Sequence, residues 1–146
     1  MAKVIIYTQA DGAVAVCRPA PKFLALFASE DEGLSAVIAK SVPADAADVE
    51  IVDEGTVPDD RTFRGAWVQA GGAIGCDMEK ARAIHMNRIR AVRDKELARL
   101  DIEQLKGNDV AAEKQRLRDT PQTFDLSTAE TPEALKALWP AELPRP

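Results

Sequence analysis

Few residues of this chain have the types and spacing that support chemistry. The one histidine, His85, falls inside a helical pattern, where a lone histidine is far more often a packed or surface residue than a catalyst. The two cysteines, Cys17 and Cys76, do not form a CxxC pair, so neither a disulfide framework nor a zinc site is predicted. Cys76 stands nine positions before His85, which gives weak support for a Cys–His nucleophile pair.

A glycine-rich run and an acidic segment complete the search for chemistry. Residues 71–75 (GGAIG) precede a helix, as phosphate-binding loops do, but they match neither GxxxxGK[ST] nor GxGxxG, and a turn is the better interpretation. The acidic residues between positions 45 and 60 lack the periodic spacing of a calcium loop and are interpreted as a solvated face. We therefore predict that the chain is not an enzyme and has no catalytic, cofactor-binding or metal-binding residues.

Composition and charge limit the classes of protein further. The chain has 146 residues, of which 46% are apolar and 29% charged, as expected for about one globular domain and not for a multidomain enzyme. Residues 1–60 carry 4 basic and 11 acidic side chains, whereas residues 77–100 carry 7 basic and 4 acidic ones. Either this dipolar chain pairs with copies of itself or a charged partner, or the basic helix is a solvated face. With a net charge of −5, no attraction to nucleic acid or anionic membrane is expected.

Targeting signals are also not predicted. The longest apolar runs are a few residues, such as those around Val4 to Ile6, and the N-terminus has no basic segment followed by an apolar run and a cleavage site. We expect no membrane span, no secretion signal and an intracellular origin.

The N-terminal half, residues 1–76, is predicted to be a small α+β attachment module. Asp11-Gly12 between two β-rich runs indicates an opening hairpin, because glycine accepts the positive φ of such turns. A second, weaker hairpin is predicted around Gly71-Gly72. The remaining predicted elements are two helices, Pro21–Phe27 and Asp31–Lys40, and a third strand containing Val49, Ile51 and Val52.

The C-terminal half is predicted to be helical. Residues 77–106 contain no glycine or proline and predict one long helix, which ends at Gly107-Asn108. A second helix over Val110–Arg118 is expected to stop before Pro121, which gives a helical hairpin over residues 77–120. Residues 121–146 are predicted to form a proline-rich tail with one short helix that begins at Thr131-Pro132. The fold class is therefore α+β, with a hairpin-containing module followed by a long helix and a helical hairpin.

The long helix has more apolar surface than a short partner helix covers. One predicted stripe contains Ala81, Ile84, Ala91, Ala98, Ile102 and Leu105, and the other contains Met86, Ile89, Leu97 and Leu100. Either the N-terminal module or another subunit covers the excess, and we expect a homo-oligomer or a larger assembly. In the tail, Leu135, Leu138 and Trp139 either fold back onto the long helix or dock on a neighbour.

Several segments resemble proteins of tailed bacteriophages. These are residues 93–101 (RDKELARLD), 114–122 (KQRLRDTPQ), 131–140 (TPEALKALWP) and 60–67 (DRTFRGAW). Together they are similar to small proteins encoded among the tail and tail-fibre genes, including tail-fibre assembly chaperones, over roughly residues 57–140. Those chaperones often carry a tryptophan after the Leu-Asp pair, where this chain has Ile102, and this departure favours a virion component.

The resemblance implies a non-enzymatic structural protein that is made in the bacterial host cytoplasm and located in the virion. It implies phage structural proteins as partners, while the net charge gives no reason to expect nucleic acid or membrane as a partner. The alternative is an assembly chaperone that leaves before the particle matures. A nucleic-acid binder using the basic residues 80–99 is the weakest hypothesis, because aromatic residues near that helix are absent. The candidate partner-binding residues are Phe63, Trp67, Ile84, Ile89, Leu97, Leu100 and Trp139.

Overall fold

The computed structural model describes residues 2–146, which form two compact units that divide between Asp77 and Met78. The first is a mixed α/β unit and the second is helical, and the predicted α+β fold class is confirmed. The division lies one residue from the predicted boundary at Cys76. Residues 121–146, the predicted proline-rich tail, group with the second unit.

The first unit contains two antiparallel sheets and two helices. A three-stranded sheet has the order β2-β1-β3, and a separate hairpin pairs β4 with β5. The elements are β1 (Lys3–Thr8), β2 (Val14–Cys17), α1 (Pro21–Leu24), α2 (Glu30–Ser41), β3 (Ala47–Asp53), β4 (Trp67–Gln69) and β5 (Ile74–Cys76). Both predicted hairpins and the predicted third strand are therefore present. The first predicted helix is shorter than expected, because the chain after Leu24 tightens into turns such as Phe27 N–H to Leu24 carbonyl (3.2 Å).

The central strand β1 is buried on both faces, which explains its continuous apolar run. Val4 and Ile6 pack on one face with residues that include Val52 and Trp67. Ile5 and Tyr7 pack on the other face against α2, and the residues they contact include Leu34 and Val37. Because successive side chains of a strand point to opposite faces, one strand supplies both halves of this core.

The turn between β1 and β2 follows the sequence prediction. Gly12 has a φ of 87°, which a residue with a Cβ adopts only with strain. The Asp11 carboxylate accepts a hydrogen bond from the Ala13 amide at 3.0 Å and fixes the turn. The register pairs Thr8 with Val14 and Ile5 with Cys17.

The second unit is built on one long helix, α3 (Met78–Leu105), as predicted. Its C-terminus is closed by Gly107, with a φ of 93°, whose amide bonds the Gln104 carbonyl at 3.0 Å. The Asn108 amide bonds the Glu103 carbonyl at 3.1 Å, which completes a Schellman motif. The chain thereby reverses into α4 (Ala111–Thr123), and the two helices form the predicted hairpin.

The predicted end of the second helix is wrong. Helix α4 continues through Pro121 to Thr123, although a proline disfavours helical geometry in the residue before it. Proline removes one N–H, and here it does so in the last turn, where little helix remains to be disrupted. Thr120, Pro121 and Leu117 are all buried, so packing holds the last turn in place. Tertiary contacts therefore outweigh the local preference.

The C-terminal segment packs onto α3. It contains α5 (Pro132–Ala137), whose N-terminus is capped by the Thr131 hydroxyl accepting from the Ala134 amide at 3.1 Å, as predicted. Leu135 is fully buried. Further buried residues of this segment are Leu126, Ala129, Pro140 and Leu143.

The face that α3 buries differs from both predicted stripes. Its buried residues are Ala81, His85, Ile89 and Leu100. From the first predicted stripe, Ala91, Ala98, Ile102 and Leu105 are exposed. The C-terminal segment packs on the side of α3 that contains His85. This contact, together with apolar periodicity, decides which side of the helix is covered.

Candidate interaction surfaces

His85 is buried in the second unit, where it contacts the C-terminal segment. Its Nε2–H donates to the Leu138 carbonyl at 2.7 Å, and its ring meets Trp139 edge to face with centroids 5.6 Å apart. The side chain is only 4% exposed. The histidine therefore fixes the tail on α3, in agreement with its interpretation as a packed residue.

The two cysteines, Cys17 and Cys76, are half-buried in the first unit and are not joined by a disulfide. Cys17 lines a shallow pocket of about 210 Å³ together with Arg18, Phe23 and Lys40. The Lys40 ammonium lies 5.3 Å from the centre of the Phe23 ring, and Arg18 is paired with Glu54 at 2.8 Å. The pocket brings a thiol and two cations together, but both cations already have partners within the chain.

Residues 2–146 contain neither a group of side chains suited to a metal ion nor a helix suited to cross a membrane. No three His, Cys, Asp or Glu side chains of this stretch are grouped so that they could hold a metal ion. None of its helices combines the length and the apolar character that crossing a membrane requires.

The structure separates the seven predicted partner-binding residues into two groups. Four are buried: Phe63, Trp67, Ile89 and Leu100, which are 4%, 6%, 0% and 1% exposed. A side chain in the core offers no surface to a partner, so these four are assigned to packing and not to an interface. Three are half-buried: Ile84, Leu97 and Trp139. Partner contact by these three stays a prediction.

Much of the positive charge on α3 is engaged within the second unit. The Arg82 guanidinium donates to the Ala129 carbonyl, and other arginines pair with carboxylates on the same helix. These contacts are Arg82 to Ala129 (2.8 Å), Arg93 to Asp94 (2.8 Å) and Arg99 to Glu96 (3.0 Å). Such contacts leave less charge to meet a phosphate backbone, and they agree with the interpretation of α3 as a solvated charged face.

Large apolar side chains are exposed at three places. At the tip of the helical hairpin, Ile102 is 56% and Leu105 is 88% exposed. On strand β3, Val49 is 39% and Ile51 is 44% exposed. Leu26, after α1, is 76% exposed. Ile102 and Leu105 belong to one of the predicted apolar stripes of the long helix. Val49 and Ile51 were predicted to lie on a strand, but their exposure was not predicted, because strand periodicity does not show which face a helix covers.

Local partners perturb the acidity of Asp53 and Asp125. The ion pair with Lys3 (2.7 Å) lowers the pKa of Asp53 and raises the pKa of Lys3, chiefly through the hydrogen bond between them. Hydrogen bonds from the Ser127 hydroxyl and amide, at 2.6 and 2.8 Å, lower the pKa of Asp125. Both carboxylates are stabilised in charged form by local partners, as structural residues are.

No family model, curated protein or solved structure matches this chain.

Proposed function

We propose that the chain is a non-enzymatic structural protein of a tailed bacteriophage virion, which acts through contacts with other phage structural proteins. It is made in the host cytoplasm and becomes a tail, neck, fibre or other accessory component of the particle. The proposal includes self-association or assembly with larger virion proteins, and neither nucleic acid nor membrane as partner.

The observation that carries the proposal is the exposed apolar tip of the helical hairpin. Ile102 and Leu105 lie on the last turns of α3, inside the stretch that resembles phage tail-region proteins. Exposed apolar side chains next to each other favour protein contact, because burying them removes apolar surface from water. In contrast, the lone histidine holds the C-terminal segment in place through Leu138, which supports a packing role and not a catalytic one.

The alternative is an assembly chaperone that binds a fibre or tail protein and then leaves. The same apolar tip serves either role, and the two differ in whether the protein stays in the finished particle. Mass spectrometry of purified particles separates them. We expect the protein at a fixed copy number per particle, whereas its presence in the infected cell and absence from particles would establish the chaperone.

Variants at the tip test the proposed contact. Leu105→Gln and Ile102→Gln should leave the stability of the isolated protein nearly unchanged, because both side chains are exposed, and should reduce incorporation into particles. Lys95→Gln, at another exposed position of α3, is the matched control and should incorporate normally. Normal incorporation of both tip variants would exclude the tip as the contact.

A further inference from the structure

Strand β3 forms an open edge of the three-stranded sheet. The sheet order is β2-β1-β3, so β3 has a partner on one side only, and no strand among residues 2–146 pairs with its outer side. At one end, Gln69 donates from Nε2 to the Asp48 carbonyl at 2.6 Å and covers the irregular start of the strand. Gln69 also donates to the Glu50 carboxylate at 3.3 Å, and at the other end the Thr56 hydroxyl donates to the Asp53 carbonyl at 2.7 Å. The backbone of Ile51, between these two ends, carries no such contact in the described residues.

The register shows which backbone groups point outward. The Glu54 amide donates to the Ala2 carbonyl at 2.8 Å, so the backbone of Glu54 faces β1. Val52 and Glu50, two and four positions earlier, stand opposite Val4 and Ile6 and face β1 in the same way. In an antiparallel pair, residues that face their partner alternate with residues whose N–H and C=O face away. The backbone of Ile51 therefore points to the open edge.

The side chains of the same stretch leave apolar surface uncovered. Ile51 stands beside Ile5 in the register and shares its face of the sheet. Helix α2 buries Ile5 completely, through residues such as Leu34, yet Ile51 is 44% exposed. The helix thus covers β1 and leaves β3 bare, and a strand added next to β3 would extend this apolar face.

The charge around the edge selects the kind of strand that fits. Residues 45–54 contain five acidic side chains and no basic one. Asp53 and Glu54 are paired with Lys3 and Arg18, which leaves Asp45, Asp48 and Glu50 without an ion pair to a cation in the described part of the chain. At the far end, the charges of Glu30 and Asp31 act on Lys3, which is already paired with Asp53. Two copies of β3 placed side by side would bring carboxylates together, which disfavours self-pairing. A strand with basic side chains meets the opposite charge.

We propose that β3 accepts an extended segment of another protein as a fourth strand, and that this segment alternates apolar residues with lysine or arginine. Backbone hydrogen bonds to the Ile51 edge supply the attachment, and Val49 and Ile51 supply the apolar contact. The proposal rests on the proposed function only in requiring a protein partner, because strand addition at this edge is independent of the particle in which it occurs.

A peptide tests the proposal without the natural partner. The probe is a capped peptide of 7 residues, the length of β3, that alternates lysine and valine. In a titration followed by amide NMR of the full chain, we expect the amide signals of Ile51 and Asp53 to shift and their hydrogen exchange to slow. The matched peptide with glutamate in place of lysine should bind at least roughly tenfold more weakly, because its charge repels the edge.

Two proline variants separate the edge from the rest of the strand. Ile51→Pro removes an N–H that points outward, so it should preserve the sheet and weaken the lysine–valine peptide roughly tenfold or more. Val52→Pro removes an N–H that points to β1 and should instead destabilise the sheet itself. Retained exchange protection of the Val4 and Ile6 amides verifies that Ile51→Pro is folded.

Several results would overturn the proposal. These are no shift at Ile51 with millimolar peptide, equal binding of both peptides, or unchanged binding by folded Ile51→Pro. Exchange protection of Ile51 that rises with protein concentration alone would show a second copy at the edge instead. Because the peptide assay uses the isolated chain, its failure leaves the particle analysis of the proposed function unaffected.

Discussion

Replacing one fully buried tail residue tests whether the C-terminal segment stabilises the second unit. Leu135 lies on α5 and is 0% exposed, whereas Leu105, in the same unit, is 88% exposed. The changes Leu135→Ala and Leu105→Ala delete the same atoms. Any difference between them therefore reports the environment of the side chain and not the chemistry of the substitution.

The magnitude follows from burial. A buried leucine shortened to alanine loses its transfer free energy and leaves a cavity, which together cost about 2–5 kcal/mol. For a domain of this size, each kcal/mol lowers the melting temperature by roughly 4–8 °C. Leu135→Ala should therefore lower the melting temperature of the second unit by at least about 8 °C. Leu105→Ala should stay within about 0.5 kcal/mol of the parent, because its side chain is already in water.

Differential scanning calorimetry and urea unfolding of the full chain measure both variants. Hydrogen exchange of α3 amides assigns the change to the second unit. If Leu135→Ala and Leu105→Ala had the same stability within about 0.5 kcal/mol, the tail would not be part of the folded unit, and its burial against α3 would be refuted. Lost incorporation into particles with unchanged stability would instead show that the tail docks on a neighbour.

Three further predictions concern both units. Trp67→Ala should destabilise the first unit by about 3–5 kcal/mol, measured by urea unfolding, and full stability would contradict its burial. Thr120→Val removes a hydroxyl bonded at 2.8 and 2.9 Å and should cost about 0.5–1.5 kcal/mol, while Thr123→Val, at an exposed position, should cost less; equal melting temperatures would contradict this. Because Ser127 lowers the pKa of Asp125, this carboxylate stabilises the fold above its ordinary pKa of about 3.9, and the contribution disappears as the pH falls through the folded-state value. Asp125→Asn should therefore lose less stability than the parent on acidification in a pH series of thermal melts, and identical acid profiles would argue against it.

Elements with local causes were predictable from the sequence. The hairpin at Asp11-Gly12, the glycine end of α3 at Gly107 and the cap at Thr131 each depend on residues within a few positions of one another. A positive φ, a missing N–H or a capping hydroxyl acts over one turn of chain, so the sequence determines it directly. The absence of glycine and proline from residues 77–106 likewise predicts one long helix.

Features that depend on distant packing were not predictable. Helix α4 runs through Pro121 because buried neighbours outweigh the preference of the residue before a proline. The buried face of α3 contains His85 and only part of each predicted apolar stripe. His85 lies on this face because it bonds the carbonyl of Leu138, 53 positions away. Periodicity identifies the amphipathic faces of a helix, but it does not state which face meets a partner.

The candidate surfaces divide in the same way. From the sequence alone, Trp67 and Leu100 were candidate partner-binding residues, whereas Leu105 was placed only in an apolar stripe of the long helix, although all three are large and apolar. Their burial in the structure assigns the first two to the core and leaves Leu105 in solvent. The open edge at Ile51 was likewise not predictable, because the sequence predicts a strand there but does not show that it is an edge strand of the sheet. The amino-acid sequence determined the local elements and their order, since these depend on near neighbours, while only the tertiary structure decided which apolar side chains remain exposed, since burial depends on the whole fold.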